Sequence, residues 1–273
     1  MIYYLHMHLE VYFPLIGAIS YIFIFVCGLI LGSFLNAWIW RTRENIRVVS
    51  GFSMCVHCRR MLMWYEKIPL CSFLVLRGKC RTCKKFIPAS YFWTELLTAV
   101  ALTMVFYYHV NINTMFSEWW MMRDVFFLTC LVVIFVYDWK YQLVLSRIVW
   151  PGVIIGLAIN HWALNYQLSD LLLGMVVGGG FFLIQYLISR GRWIGGGDIR
   201  LGLMMGAWLG WQLTIFALFL AYILGAIYAV ILLIGKKANR NTEIPFGIFL
   251  ALSTFFTLYN GRALVEWYIG LLK

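Results

Sequence analysis

Chemistry in this sequence has few places to sit. The aspartates are Asp124, Asp138, Asp170 and Asp198, and two of them stand at the ends of long apolar runs. Asp138 closes one run in VIFVYDWKYQ, and Asp198 follows Gly195, Gly196 and Gly197 in RWIGGGDIRL, where another run begins. Taken singly, Asp198 reads as a helix N-cap and Asp138 as an interfacial residue. Taken together, at one depth on one side of a membrane, they read as a pair. Two carboxyls that share a proton can activate water for peptide hydrolysis. The three glycines leave backbone room for an extended substrate and admit dihedrals closed to other residues. Asp124 and Asp170 are expected at the outer, N-terminal ends of helices, where a carboxylate caps free amides and complements the dipole.

The second chemical group is sulfur. Cys55-Val56-His57-Cys58 is followed by Cys80-Arg81-Thr82-Cys83, two knuckles separated by 21 residues. Each knuckle brings two sulfurs to one edge of a tetrahedron, and the spacing fits a four-thiolate zinc site. Four protein ligands leave the metal no open position, so such a zinc folds its loop and performs no chemistry. Disulfides and a redox pair are the weaker readings in a reducing cytosol. Cys27, Cys71 and Cys130 fall outside the pattern and are expected as buried apolar thiols. His57 could serve as a ligand only in place of one of the four cysteines.

The elements that must position these groups are membrane helices. Of 273 residues, 63% are hydrophobic and 12% charged, with a mean hydropathy of +0.83. Apolar segments fall at about 11–40, 91–108, 119–137, 148–164, 171–189, 199–209, 212–234 and 247–271. Most have the length a helix needs to cross about 30 Å of hydrocarbon. An all-α polytopic membrane protein of about eight helices is expected, the sixth of them short. Its domains divide as an N-terminal membrane helix (1–40), a cytoplasmic cysteine loop (41–90) and a multi-helix membrane core (91–273). The first segment is too long for a secretory signal and lacks a cationic start.

The net charge of +11 does not call for a nucleic acid. With the N-terminus outside, every basic residue except Arg123, Arg262 and Lys273 falls in a cytoplasmic connection, eleven of them between Arg41 and Lys85. That is the positive-inside pattern, and a basic surface facing anionic lipid accounts for the charge.

These residues resemble the prepilin peptidases, the bacterial type IV leader peptidases of the GxGD aspartic protease class. Gly196-Gly197-Asp198 is similar to the family's signature, and Gly32-Ser33-Phe34-Leu35-Asn36 with Arg41 to the motif that ends its first helix. Cys55 to Cys83, with WYEKIP and LRG inside it, resembles the family's tetracysteine loop; YFWTELLTA and Ile244-Pro245-Phe246-Gly247 are also similar. The resemblance implies an inner-membrane enzyme that cleaves the basic leader from type IV prepilins or type II secretion pseudopilins at the cytoplasmic face. It implies Asp138 and Asp198 as catalytic residues and pilus or secretion machinery as a further partner. It also implies methylation of the new N-terminus by S-adenosylmethionine, for which the large loop and Gly32, Asn36 and Arg41 are the places to look. No dinucleotide-type glycine fingerprint supports that second activity independently.

The chain departs from the family pattern at three places. Leu145-Ser146 occupy positions usually held by a Pro-Asp or similar pair, Arg200 stands where lysine is common, and Ile248 replaces a frequent proline, with local consequences expected. Two other classes compete with the peptidase. A transporter would place its carboxylates near the bilayer midplane on broken helices, whereas the spans here are apolar in the middle apart from residues such as Glu95 and Gln185. Glu95 is expected to pair with a neighbouring helix or a loop cation. A zinc-stabilised assembly scaffold would explain the cysteines and leave the glycine–aspartate stretch unused. Within the aspartate pair, helix dipoles suggest a division of labour. Asp138 would lie at a carbonyl end and hold the shared proton, and Asp198 at an amide end and stay ionised.

Overall fold

The computed structural model describes residues 2–47, 52–112, 118–235 and 244–271. The loop cations Lys236, Lys237 and Arg240, and Lys273, lie outside the described residues. The chain divides into two compact units, residues 1–116 and 117–273. Both are helical, and among the described residues the β structure is limited to two isolated bridges.

In the first unit, α1 (Ile2–Arg43) packs against α3 (Ser90–Tyr107). A Cβ added at Gly28 would lie 2.5 Å from the Ala99 Cα, and one at Gly32 would lie 2.7 Å from the Glu95 Cα, so glycine is what lets the two backbones touch. Gly32 is therefore a packing residue in this fold. The segment expected to open the membrane core at residue 91 belongs instead to this unit, because the small residues of α1 have their complement on α3.

Between them, residues 52–90 carry a short 3-10 turn (Trp64–Lys67) and α2 (Cys71–Val75). The two cysteine knuckles are built alike. Cys55 N–H donates to the Arg60 carbonyl and Arg59 N–H to the Cys55 carbonyl, as Cys80 N–H donates to Lys85 and Lys84 N–H to Cys80. One isolated bridge flanks each knuckle, Met54 to Met61 and Lys79 to Phe86. The residue after each second cysteine takes the left-handed conformation, Arg59 at φ 58° and Lys84 at φ 58°.

The second unit contains α4 (Glu118–Tyr141), α5 (Ser146–Ala158), α6 (Leu168–Ser189), α7 (Gly196–Ile234) and α8 (Gly247–Leu271). Short π-helical turns, residues Tyr108–Ile112 and Ile159–Ala163, extend α3 and α5. Among the described residues, five helices are long and apolar enough to span a membrane: α1 from Gly17, α4, α6, α7 and α8 to Tyr268.

Helix α7 has 39 residues, about 58 Å at 1.5 Å per residue and nearly twice the hydrocarbon thickness. It is broken at Gly210, whose φ of 73° and ψ of 176° are not helical. Before the break it runs antiparallel to α6: Gly202 lies against Gly178, and Gly206 against Gly174. After the break it runs parallel to α6, since Thr214 meets Gly178 and Tyr222 reaches Gln185. The sequence's sixth and seventh segments are thus separate limbs of a hairpin. Gly210 supplies a conformation that side-chain-bearing residues resist, in a place where a Cβ would lie 2.3 Å from an Asp170 oxygen.

A break in a membrane helix strands carbonyls, and here a buried polar cluster meets them. Asn160 donates to the carbonyls of Ala207 (3.0 Å) and Trp208 (3.3 Å), in the turn before the break. Arg123 donates to Asn160 Oδ1 at 3.2 Å and pairs with Asp124 at 2.6 Å. Asp124 is accordingly no helix cap: it is the seventh residue of α4, 1% exposed, and serves as counter-ion to a buried guanidinium. Asp170, by contrast, sits in the first turn of α6 as expected.

Candidate functional site

Asp138 and Asp198 line one cavity of about 960 Å³ in the second unit. Each arrives there on a helix end. Asp138 lies in the last turn of α4, which stops when Gln142 takes a left-handed conformation (φ 52°) and donates its N–H to the Asp138 carbonyl at 2.8 Å. Asp198 is the third residue of α7, after Gly195 as N-cap. Arg190 (φ 53°) and Gly191 (φ 74°) end α6 and turn the chain toward it.

The carboxylate of Asp138 is buried, with the residue only 5% exposed. Its Oδ2 accepts the Ile248 N–H at 3.2 Å, at the start of α8. A proline at 248 would have no N–H to give, so the departure at Ile248 supplies a donor to the candidate site and is more than local. Gly247 is equally constrained, since a Cβ there would lie 2.8 Å from Asp138 Oδ2. Sequence reading gave Gly247 no role. Its signal is its place in the Ile244-Pro245-Phe246-Gly247 stretch that resembles the family, at a helix start.

Helix α8 also removes the expected asymmetry between the two aspartates. Asp198 does lie at an amide end, with the Gly195 backbone beside its carboxyl. Asp138, although at the carbonyl end of α4, is held by the amide end of α8. Each aspartate's own helix would set the two apart, and the packing of a third helix offsets that difference.

The three glycines divide their work. Nothing lies within 4 Å of a Cβ built on Gly196, and Gly195 meets only its own turn at 3.9 Å, so both present bare backbone at the cavity wall. Gly197 instead packs on Val144, whose Cβ would be 2.8 Å away from an added Cβ. Gly195 has φ −78°, and none of the three has the positive φ that marks Gly191 and Gly210. Special dihedrals are not their function here; closeness and an open wall are. Arg200 ties this turn to the start of α5, donating to the Gly196 carbonyl at 3.1 Å and to Ser146 Oγ. Where a carboxylate would have paired with a cation, Ser146 offers a hydroxyl. Gln185 and Tyr222 complete another wall, joined by a 3.0 Å hydrogen bond from the tyrosine hydroxyl.

The cysteines form a second, separate centre in the first unit. One sulfur from each of Cys55, Cys58, Cys80 and Cys83 lies within 4.8 Å of all the others, and Cys55 to Cys83 is 4.0 Å. Zinc–sulfur bonds of about 2.3 Å place tetrahedral sulfurs roughly 3.8 Å apart, so the cluster can hold such an ion with small adjustments. The amides of Cys83 and Thr82 draw the Cys80 thiol down to about 6, while burial pushes Cys55 up to about 11. His57 is not among the ligands; its Nε2 lies 3.1 Å from the Phe86 carbonyl and so joins the two knuckles. Of the other cysteines only Cys130 is buried, whereas Cys71 is exposed and Cys27 half-buried. Beneath the knuckles Arg60 grips Glu66 with bonds of 2.7 and 2.9 Å, which holds that carboxyl below the ordinary range.

A further cavity in this unit is lined by Asn36, Arg41 and Glu95 among others, whereas Gly32 lies in the helix contact described above. Glu95 meets its neighbouring helix α1 through the side chains of Ser33 and Asn36, and loop backbone in place of a loop cation: it accepts the Leu70 N–H at 2.9 Å.

Residues 26–109 match the Bacterial Peptidase A24 N-terminal domain, and residues 125–230 match the type IV leader peptidase family. A prepilin leader peptidase/N-methyltransferase of Pseudomonas aeruginosa is 32% identical, over 89% of this chain and 91% of its own length. Proteins of the same name from Stutzerimonas stutzeri and Legionella pneumophila are 30% and 32% identical, over 89% and 80% of this chain and 92% and 75% of theirs. No solved structure matches the chain. Two family matches in tandem, and relatives alike along most of their length, establish that the chain belongs to the type IV leader peptidase family.

Proposed function

We propose that the chain is a membrane aspartic endopeptidase that removes the basic leader of type IV prepilins or type II secretion pseudopilins, with Asp138 and Asp198 as its catalytic residues. The observation that carries this reading is their convergence on one roomy cavity with bare backbone at Gly195 and Gly196. A substrate whose apolar segment lies in the bilayer presents the bond before that segment at the interface, where the helix ends bearing both aspartates also lie. Water between the carboxyls loses a proton to the ionised one as its oxygen attacks the scissile carbonyl carbon. The protonated carboxyl gives its proton to the carbonyl oxygen. The resulting diol collapses as the C–N bond breaks: the leaving nitrogen takes the proton of the protonated carboxyl while one diol hydroxyl gives its proton to the other carboxylate, so the pair again shares one. The two titrate as a unit, so one proton is the resting complement.

The basic connections support an orientation with the N-terminus outside and the cavity at the cytoplasmic face of the inner membrane. The thiolate cluster fits structural zinc. The relatives' second activity extends to this chain as methylation of the new N-terminus. S-adenosylmethionine, when bound, supplies an electrophilic methyl group to that amine. Asn36 and Arg41 line the cavity best suited to hold it.

Incubating the purified protein with a leader-bearing prepilin and S-adenosylmethionine tests both activities by mass spectrometry. Cleavage just before the apolar segment, with one added methyl on the new N-terminus, is expected. Intact substrate with both prepilins and pseudopilins would overturn the peptidase reading.

A further inference from the structure

The cavity of the first unit contains an unbalanced set of acceptors. Two acids line it. Glu66 is neutralised by the bidentate Arg60 contact and by the Met63 amide at 2.9 Å. Glu95 has only neutral donors, the Leu70 amide and the side chains of Ser33 and Asn36. No cation pairs with it among the described residues. Asn36 is 2% exposed and gives its Nδ2 to the Tyr91 carbonyl at 2.9 Å, which leaves its Oδ1 buried without a donor. A carboxylate without a counter-ion beside a bare amide oxygen is costly to bury unless a ligand supplies donors and charge.

We propose that Glu95 and Asn36 receive the α-ammonium group of S-adenosylmethionine, an assignment that rests on the methyl-transfer half of the function proposed above. An ammonium brings three N–H donors and a full positive charge, which is what two unpaired acceptors lack. The sulfonium carries charge but no donor, so it satisfies Asn36 Oδ1 less well. The size agrees with one end of the molecule: the cavity holds about 150 Å³, against roughly 300 to 1,000 Å³ for pockets that engulf a drug-sized ligand. Arg41 lines the same cavity, so an end bearing both charges meets a carboxylate and a guanidinium.

The test is equilibrium dialysis of the full-length protein with two nucleosides, S-adenosylhomocysteine, which keeps the amino-acid end, and 5′-methylthioadenosine, which lacks it. Glu95→Gln keeps an acceptor for Leu70 N–H and removes the charge. It should weaken S-adenosylhomocysteine binding by about 10- to 100-fold and leave methylthioadenosine unchanged, since a hydrogen bond to a charged group is at stake. Asn36→Ala should show the same selectivity with about a 3- to 10-fold loss. Equal losses for both nucleosides would make these residues structural and overturn the assignment. So would unchanged S-adenosylhomocysteine affinity in Glu95→Gln while the wild type binds and methylates, a result that leaves the methyl-transfer reading standing. A wild type that binds neither nucleoside removes both.

Discussion

The four thiols of the first unit and the two carboxylates of the second are assembled by opposite means. Each cysteine knuckle is a local turn, closed by hydrogen bonds five residues apart and flanked by its own bridge. Only one long-range step, the pairing of two similar knuckles, then makes the cluster. The aspartate cavity has no local half. Asp138 takes its backbone donor from Ile248, 110 residues later, and Asp198 reaches the same cavity on the limb of α7 that packs along α6 through Gly202 and Gly206. A site of local pieces should fail where its chemistry fails. A site of remote pieces should also fail through residues that carry no chemistry.

The largest effect is expected in the local site. Replacing Cys55 and Cys58 together by serine should abolish zinc binding and unfold residues 52–90, because structural zinc supplies on the order of 10 kcal/mol to domains of this kind. Metal analysis and limited proteolysis measure it, with Cys71→Ser as the unaffected control. If the double variant keeps a protease-resistant loop, the knuckles do not depend on metal.

At the remote site, Asp138→Asn and Asp198→Asn should each lower leader cleavage by a factor on the order of 10³ or more. Cleavage at equal abundance in membranes is the measurement, and near-normal activity removes that residue from the pair.

Next comes a change about four turns along α4 from Asp138. Arg123→Leu leaves Asp124 buried without its counter-ion and should cost about 3 to 5 kcal/mol of stability, whereas Arg123→Leu with Asp124→Leu should recover much of it. Thermal inactivation of the purified variants reads this, and equal losses in the single and double variants would contradict the pairing argument.

Gly247→Ala sharpens the contrast most. Its added methyl would crowd Asp138 Oδ2 at 2.8 Å, so cleavage should fall about 10- to 100-fold with little loss of stability. Gly180→Ala, where nothing lies within 4 Å, should leave cleavage unchanged. Equal activity in the two would mean that the carboxylate tolerates displacement. The smallest effect returns to the knuckles. Lys84→Gly relieves a left-handed conformation and should stabilise the loop by up to about 1 kcal/mol, visible as slower proteolysis.

The legibility of the two regions differs for the same reason. The knuckles were readable from C-x-x-C spacing because a tetrahedral ligand set imposes short intervals on the chain. The helices were readable because hydrocarbon imposes length and apolarity, and even the division of α7 into two segments was visible as a lapse near Leu209. Asp138 and Asp198 stood out because acids are rare beside such runs. What could not be read was which surfaces face one another. Asp124 was taken for a helix cap because its Arg123–Asn160 cluster serves carbonyls of Ala207 and Trp208, on another helix. The segment at 91–108 was assigned to the core because its hydropathy does not reveal that Gly28 and Gly32 wait for it on α1.

The helical membrane class and the paired knuckles follow from the sequence alone, and the two acids proposed as catalytic stand out there, because solvent and ligand geometry constrain residue type over short stretches. Tertiary structure decided that α8 puts an amide on Asp138 and that Gly197 serves Val144 while Gly195 and Gly196 stay bare. It also decided that Glu95 and Asn36 share a cavity. Those relations depend on the close approach of distant backbones. Sequence spacing carries no record of such distances, since the packing of helices and not the order of residues sets them.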